Sequence, residues 1–233
     1  MGLNRRIFTF GLPASAAALL GERGWAQSLR PRPAYGGIYG PIDDDLYPVP
    51  GIDLSAIQSA FLRSIVLYET PEPAGTIVID PRARFLYHVQ DGGLAIRYGV
   101  GVGRSGFGWS GTATVGDKQE WPDWYPPKEM LQRQPELMEQ MADLPGGAGM
   151  PGGPGNPLGA RALYLWQGKK DTLYRIHGTF EPWTIGTSVS SGCIRMINQD
   201  AIDLYNRTPV GTKVVVLAPA SNRRKRAAAA SGE

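Results

Sequence analysis

Two residues able to carry out covalent catalysis lie sixteen positions apart in the last third of the 233-residue sequence. Cys193 is its only cysteine, and His177 is one of two histidines. A thiol with a pKa of about 8.5 is mostly protonated at neutral pH, so a nucleophilic cysteine needs a nearby base. An imidazole can take the thiol proton and later give it to a leaving amine. The pair therefore predicts acyl transfer from a carbonyl substrate to the cysteine.

The neighbouring residues predict how these two side chains are presented. In an extended segment 193–196, Cys193 and Arg195 project from one face while Ile194 enters the core. Gly192 allows a substrate to approach the backbone amides around Cys193, which could then stabilise an oxyanion. No acid for a Cys-His-Asp triad is obvious near His177, so a backbone carbonyl is expected to orient the ring.

Each of these residues taken singly has another interpretation. A lone cysteine is usually a small buried apolar residue, a histidine at a strand end is usually an ordinary surface residue, and Arg195 could be half of a structural ion pair. His88 lies in an apolar run and is interpreted as structural, so a metal site built with it is unattractive, and neither metal nor cofactor is expected. A thiol redox protein would need a resolving cysteine, which the sequence lacks.

The first 26 residues predict an export signal. Arg5 and Arg6 precede an apolar stretch at 7–20, and small residues near 24–26 could be a cleavage site. This pattern resembles a bacterial twin-arginine signal and predicts a periplasmic protein, whereas the apolar stretch is too short for a stable membrane span. Exported proteins usually pair their cysteines, so a single unpaired Cys193 favours a chemical role.

The net charge of +3 does not indicate a nucleic-acid-binding protein. Seven of the 24 Lys and Arg residues lie towards the two ends, at positions 5, 6, 23 and 223–226. Without these, and without Glu22 and Glu233, 17 basic residues stand against 19 acidic ones. No basic surface is implied for the body of the protein, so nucleic acid is not an expected partner.

Hydrophobic patterning predicts a mostly β fold with two or three short helices. The predicted strands are 76–80, 85–90, 94–102, 161–166, 172–177 and 213–217, and the predicted helices are 52–68, 127–143 and one capped by Asn198. Residues 103–160 are rich in Gly, Pro and Trp and predict a long loop. Its tryptophans, Trp109, Trp121 and Trp124, would either cover a peptide groove or pack beneath the loop.

The chain is divided into four parts on these patterns. Residues 1–26 form the export signal, and residues 27–72 form a linker or arm with one helix. Residues 73–217 form the catalytic domain, and residues 218–233 form a disordered basic tail.

The His-Gly-Thr run at 177–179 and the Ser-Ser-Gly-Cys-Ile-Arg-Met run at 190–196 together resemble the signature of the L,D-transpeptidase catalytic domain, or YkuD domain. The resemblance covers roughly residues 73–217 and implies a β-sandwich or barrel of short strands. It also implies roles for residues of the signature: Cys193 as nucleophile, His177 as base, the Gly178 carbonyl as orienter of the ring, Gly192 with Cys193 as oxyanion hole, and Arg195, Ser190, Ser191 and Thr179 on the substrate side. Ser191 departs from the signature, since many members carry a second histidine there.

The resemblance further implies a peptidoglycan enzyme that cleaves before the terminal D-Ala of a tetrapeptide stem and is acylated by carbapenems. An amine of a neighbouring stem would give a 3→3 cross-link, and an amine of an outer-membrane protein would anchor that protein to the wall. Water as acceptor would make the protein an L,D-carboxypeptidase. A non-catalytic peptidoglycan-binding module with the same fold is the alternative from another class.

Overall fold

The structure, a computed structural model, describes residues 35–103, 109–190 and 192–218. The predicted export signal, Ser191, residues 104–108 of the predicted loop and nearly all of the predicted tail lie outside the described residues. The strands are β1 (Ser64–Leu67), β2 (Ile77–Asp80), β3 (Phe85–Gln90), β4 (Leu94–Gly99), β5 (Val102–Gly103), β6 (Gly111–Glu120), β7 (Ala142–Leu144), β8 (Gly147–Gly149), β9 (Arg161–Gln167), β10 (Lys170–His177), β11 (Ser188–Ser190), β12 (Ile194–Arg195) and β13 (Lys213–Val216). The helices are α1 (Tyr35–Ile38), α2 (Lys128–Arg133) and α3 (Asn198–Arg207), and five 3₁₀ turns span Leu54–Ala56, Ser59–Phe61, Asp91–Gly93, Pro135–Gln140 and Pro182–Thr184.

Nine strands form one mixed sheet in the order β1-β4-β3-β2-β13-β6-β9-β10-β12. Pairing is antiparallel except for β2 with β13 and β10 with β12, which are parallel. Two small sheets pair β11 with β5 and β7 with β8. The prediction of a mostly β fold with few helices is confirmed.

The main core lies where the central strands meet α3. Ile77 and Ile79 of β2, Val214 of β13 and Leu204 of α3 are fully or almost fully buried in one apolar cluster. Burial along β2 is continuous because both faces of this central strand are covered. In the described residues, no helix is long and apolar enough to cross a bilayer.

The predicted helix at 52–68 is wrong. The segment forms two 3₁₀ turns and then β1, in which Ile65 lies opposite Ile96 and Val66 opposite Ala95 of β4. The spacing of apolar residues was compatible with a helix, but β-branched side chains at 65 and 66 favour a strand when a partner strand is available.

The predicted long loop at 103–160 is only partly irregular. It contains β6, a ten-residue strand inserted between β13 and β9, in which the buried Ala113 and Val115 alternate with the exposed residues Thr112, Thr114 and Gly116. This alternation is visible in the sequence, although glycines flank it on both sides. The predicted helix at 127–143 is shorter than expected: α2 ends at Arg133, and a 3₁₀ turn begins at Pro135, which cannot continue an α-helix.

Candidate active site

Parallel pairing of β10 with β12 brings the sequence-predicted residues together. Ile176 lies opposite Ile194, and His177 lies opposite Arg195. Both isoleucines are buried in the core, so the side chains of His177 and Arg195 lie on the other face of the sheet. Cys193, two positions before Arg195, shares that face. The residue as a whole is partly exposed, although its thiol group is buried.

A bulge in β10 places a backbone carbonyl beside the thiol. The register between β10 and β9 shifts between Asp171 and Arg175, and Leu173 within this stretch has a φ of 63°. The Leu173 carbonyl accepts from Cys193 Sγ at 3.9 Å. Asp171 stabilises the bulge, because its carboxylate accepts from the Leu173 amide at 2.8 Å and from both terminal nitrogens of Arg175 at 2.7 Å. Bulges commonly redirect backbone groups next to active sites.

An aromatic wall borders the cysteine. Gly192 has a φ of +135°, a conformation that side chains rarely adopt, and a Cβ there would lie 3.3 Å from the Tyr174 ring. The Tyr174 ring stacks on Trp109 with their centroids 5.6 Å apart. Trp109 therefore lies near the site, where it could cover a peptide groove, the first of the two roles considered for the tryptophans. Trp121 has the second role and packs beneath the loop, since it is buried against Val49 and Ala160.

The imidazole of His177 is buried and held by the backbone. Its Nδ1 lies 2.6 Å from the Gly178 carbonyl, and only 4% of the residue is exposed. Because a carbonyl can only accept, Nδ1 carries the proton in the neutral ring, and Nε2 is then the unprotonated nitrogen. The Leu158 backbone also interacts with the ring and favours its protonated form. Burial lowers the pKa of His177 to about 4, with a smaller contribution from the positive charges of Arg195 and Arg175. The ring is therefore neutral at pH 7 and able to accept a proton.

The thiol of Cys193 is also uncharged at rest. Burial raises its pKa, and a backbone hydrogen bond from Arg175 and the charges of Arg175 and Arg195 only partly oppose that shift. The two predicted catalytic groups are thus a neutral thiol and a neutral imidazole, and not a preformed thiolate–imidazolium pair. Such a pair would transfer its proton during nucleophilic attack, as in general-base catalysis.

The substrate-side residues of the signature occupy different environments. Arg195 forms an ion pair with Glu181, with 3.1 Å between Nη1 and Oε2, and both side chains remain partly exposed. Thr179 is buried, and its hydroxyl accepts from the Glu181 amide at 3.1 Å, so it shapes the loop that carries Glu181. Ser190 ends β11, which pairs with β5, and its side chain is not described.

Asn198 was missed as a site residue. It is the first residue of α3, which is capped by Ile197, so the prediction that Asn198 caps the helix is wrong. Its Oδ1 accepts instead from the amides of Ala160 at 3.0 Å and Thr179 at 3.1 Å. An Asn before an apolar helix has the same local pattern in either role, and only contacts distant in sequence distinguish them.

Within the described residues, no group of three or more His, Cys, Asp or Glu side chains is arranged to hold a metal ion. His88 is buried in β3, where its Nδ1 lies 2.6 Å from Gln90 Nε2. Burial lowers its pKa, which is consistent with a structural role.

Comparison with known proteins gives a consistent family. The family described as "L,D-transpeptidase catalytic domain" (YkuD) matches residues 74–216. The chain is 30% identical over 223 residues to "Probable L,D-transpeptidase ErfK/SrfK" of Escherichia coli K12, a match spanning 90% of this chain and 67% of the relative. It is 33% identical over 144 residues to "Probable L,D-transpeptidase YbiS" of the same organism, spanning 60% of this chain and 43% of that relative.

Among solved structures, one titled "Probable carnitine operon oxidoreductase caia" from Brucella melitensis is 52% identical, covers 71% of this chain and 99% of its own, and has a TM-score of 0.47. The family match covers more than half of the sequence and includes both runs of the signature. The chain therefore belongs to the L,D-transpeptidase catalytic domain family.

Proposed function

We propose that this protein is an exported peptidoglycan L,D-transpeptidase that works through a cysteine thioester. The observation that carries the proposal is the geometry at the ends of β10 and β12, where a partly exposed Cys193 shares a face with His177, whose Nδ1 proton is bound to the Gly178 carbonyl. Membership of the L,D-transpeptidase family supports the same reaction class.

In the first half-reaction, Sγ of Cys193 attacks the carbonyl that joins the L-centre of the third stem residue to the terminal D-Ala. The thiol proton passes to Nε2 of His177 as the C–S bond forms. Backbone amides around Gly192 and Cys193 stabilise the oxyanion. When the intermediate collapses, the C–N bond breaks, and the imidazolium gives its proton to the amine of D-Ala, which leaves behind a thioester on Cys193.

In the second half-reaction, an acceptor amine attacks the thioester and loses a proton to His177. The C–S bond then breaks, Cys193 recovers a proton from the ring, and a new amide is released. A side-chain amine of a neighbouring stem gives a 3→3 cross-link, and an amine on an outer-membrane protein gives an anchored protein. Water in the same position gives L,D-carboxypeptidase activity.

The cleft offers complementary groups for a stem peptide. The guanidinium of Arg195 can bind a substrate carboxylate as a planar fork, in exchange for its contact with Glu181. The Trp109–Tyr174 stack provides an apolar wall next to Gly192. Both features favour a peptide that has a terminal carboxylate and an apolar surface.

The proposal is tested by incubating the purified full chain with tetrapeptide muropeptides and analysing both products and protein by mass spectrometry. We expect loss of D-Ala from the substrate, an acyl adduct on wild type and none on Cys193→Ala. Carbapenem exposure should give an adduct with the same dependence on Cys193. A non-catalytic wall-binding module would bind the muropeptides and release them unchanged, and that result would overturn the proposal.

Export is a separate part of the proposal and rests on Arg5 and Arg6 before the apolar stretch at 7–20. Cell fractionation of the wild type and of an Arg5→Lys, Arg6→Lys double variant tests it. We expect the wild type in the periplasm and the variant in the cytoplasm. Equal distribution of the two proteins would contradict a twin-arginine route.

A further inference from the structure

The side chain of Asn198 bridges two backbone segments that flank the proposed base. Its Oδ1 accepts from the amide of Ala160, just before β9, and from the amide of Thr179, just after β10. A carboxamide oxygen has two lone pairs, so these two bonds saturate it. The asparagine thus ties the start of one strand to the end of its neighbour at the point where His177 emerges.

The fit around this oxygen is close. Gly159 has a φ of +63°, and a Cβ on either Gly159 or Gly178 would collide with Asn198 Oδ1. Contacts of this kind leave room for glycine only, so both backbone segments are shaped around the asparagine oxygen. If Asn198 only began a helix, the segments at Gly159 and Gly178 would not need to leave space for its oxygen.

One peptide unit links Asn198 to the imidazole. The carbonyl of Gly178 accepts from Nδ1 of His177 at 2.6 Å, and the amide of the same peptide, belonging to Thr179, donates to Asn198 Oδ1 at 3.1 Å. Hydrogen bonds in series polarise one another, so accepting the amide proton makes the carbonyl at the other end of the peptide a better acceptor. In a catalytic triad, a third side chain holds the base directly. Here Asn198 would hold His177 in the same way, but through the intervening Gly178–Thr179 peptide.

We propose that Asn198 is a positioning residue that acts through the Gly178–Thr179 peptide, fixing the Nδ1–H tautomer of His177 so that Nε2 is the nitrogen that receives the thiol proton. The inference rests on the proposed function for its effect on turnover, but not for its effect on the ring. Removing the acceptor leaves the Thr179 amide unpaired and allows the peptide to rotate. The ring then samples both tautomers, and one of them presents a protonated Nε2 that cannot act as a base.

The direct test is ¹⁵N NMR of the imidazole rings in the full chain at pH 7, because protonated and unprotonated ring nitrogens have well separated shifts. The chain has only two histidines, so a His88→Gln background assigns the His177 signals. We expect a pure Nδ1–H tautomer in the wild type, a mixture in Asn198→Ala, and a wild-type spectrum in Asn206→Ala, which changes an exposed asparagine on the same helix. A pure Nδ1–H tautomer in a folded Asn198→Ala protein would overturn the inference.

Kinetics give a second readout. Asn198→Ala should lower kcat by roughly 10- to 100-fold with little change in KM, an effect of the size found when the hydrogen-bond partners of metal-ligating histidines are removed. Asn198→Asp keeps an oxygen acceptor and should restore most of kcat. Its negative charge should also raise the pKa of His177 against the lowering effect of Arg175 and Arg195, so that the acid limb of the acylation rate moves to higher pH.

The two proposals fail in different ways. If the wild type shows no transpeptidation and no adduct on Cys193, but the tautomer still depends on Asn198, the proposed function is wrong and the positioning role stands. If the wild type is active and Asn198→Ala matches it in both kcat and tautomer, the positioning role is wrong. If Asn198→Ala loses activity while its tautomer and the pH profile of its remaining activity stay unchanged, the asparagine contributes to folding only, which also overturns the inference.

Discussion

Two clusters of buried ionisable groups differ in how far hydrogen bonds and ion pairs offset the loss of solvent. In the cleft, His177 and Cys193 have shifted pKa values because burial favours their neutral forms, and the positive charges nearby do not reverse the shift for the thiol. In a second cluster, which we call the arm–helix network, Arg63 bonds to Asp203 and Asp200 of α3, and Tyr39 and Tyr98 bond to the same carboxylates.

The arm–helix network shows what decides whether a buried group keeps its charge. Burial alone would raise the pKa of Asp203, but hydrogen bonds from Arg207, Tyr98 and Arg63 lower it to about 2. Asp200 is more deeply buried, and this burial raises its pKa to about 7. Arg63 at 3.4 Å and the hydrogen bond from Tyr39 oppose the shift only in part. Charge therefore persists where several donors converge on one carboxylate. Where few do, burial neutralises the group.

This difference separates groups used for chemistry from groups used for attachment. A neutral imidazole has one unprotonated nitrogen that can accept a proton, whereas a carboxylate bound by three donors can only hold a helix in place. The arm–helix network secures α3, whose first residue, Asn198, lies beside the Gly178–Thr179 peptide. The charged network thus supports the neutral site from a distance.

The largest expected effect is that of His177→Gln on acylation. Removing the proposed base should slow formation of the Cys193 adduct on the order of 10³-fold, since general-base catalysis contributes about 10² to 10⁴. Stability above pH 7 should change little, because the wild-type ring is already neutral there. Stopped-flow or timed mass spectrometry with a carbapenem measures the rate. A His88→Gln variant should react at the wild-type rate; if both variants are equally slow, the assignment of the base is wrong.

Arg63→Met should lower stability strongly and change the reaction rate little, the reverse of His177→Gln. It leaves Asp200 and Asp203 without their shared cation, and breaking a buried ion pair from one side costs about 3 kcal/mol or more. The free energy of unfolding, measured by denaturant titration, should fall by that amount while kcat changes only a few-fold. Arg133→Met on α2, where the side chain is exposed, is the matched control and should be neutral. Loss of activity without loss of stability in Arg63→Met would remove the distinction between the two clusters.

The two clusters should also give opposite pH dependences of stability. The folded pKa of His177, about 4, lies below its ordinary 6.5, so between these values the unfolded chain binds more protons and the free energy of unfolding rises with pH. The folded pKa of Asp200, about 7, lies above its ordinary 3.8, so between about 4 and 7 the folded chain binds more protons and stability falls with pH. Each slope is about 1.4 kcal/mol per pH unit, and in the wild type they largely cancel from pH 4 to 6.5.

Single variants should reveal each slope. Relative to the wild type, His177→Gln should become less stable as pH rises from 4 to 7, and Asp200→Asn should become less stable as pH falls from 6.5 to 4. Denaturant titrations at several pH values measure the differences, and the other titrating groups cancel in the comparison. Parallel curves for the two variants would show that burial does not shift these two groups in opposite directions.

The smallest expected effect concerns the ion pair at the rim of the cleft. Glu181→Gln should lower KM for the tetrapeptide roughly two- to fivefold, because partly exposed pairs are worth about 0.2 to 1 kcal/mol and their loss frees Arg195 for a substrate carboxylate. The value of kcat should stay within twofold. An amidated stem lacking the terminal carboxylate should show no such gain. A higher KM in Glu181→Gln would indicate that Glu181 itself binds substrate.

Local sequence patterns determined a large part of this protein. The β-branched run at 76–80, the run at 85–90 and the alternation at 94–102 predicted β2, β3 and β4. The expected extended conformation of 193–196 placed Cys193 and Arg195 on one face. The types and spacing of His177 and Cys193, together with the surrounding signature, were enough to predict the family. These features depend on residues adjacent in sequence, where period and side-chain chemistry can be seen directly.

Tertiary structure alone decided the rest. Segment 64–67 became a strand because β4 was available as a partner, although its pattern also suited a helix. Asn198 became a support for Thr179 and Ala160, and Arg195 found Glu181, through contacts formed only when the sheet assembled. The neutral state of His177 depends on burial by many distant residues. Hydrogen-bond partners and solvent exposure are properties of the packed chain, and no local spacing of residues specifies them.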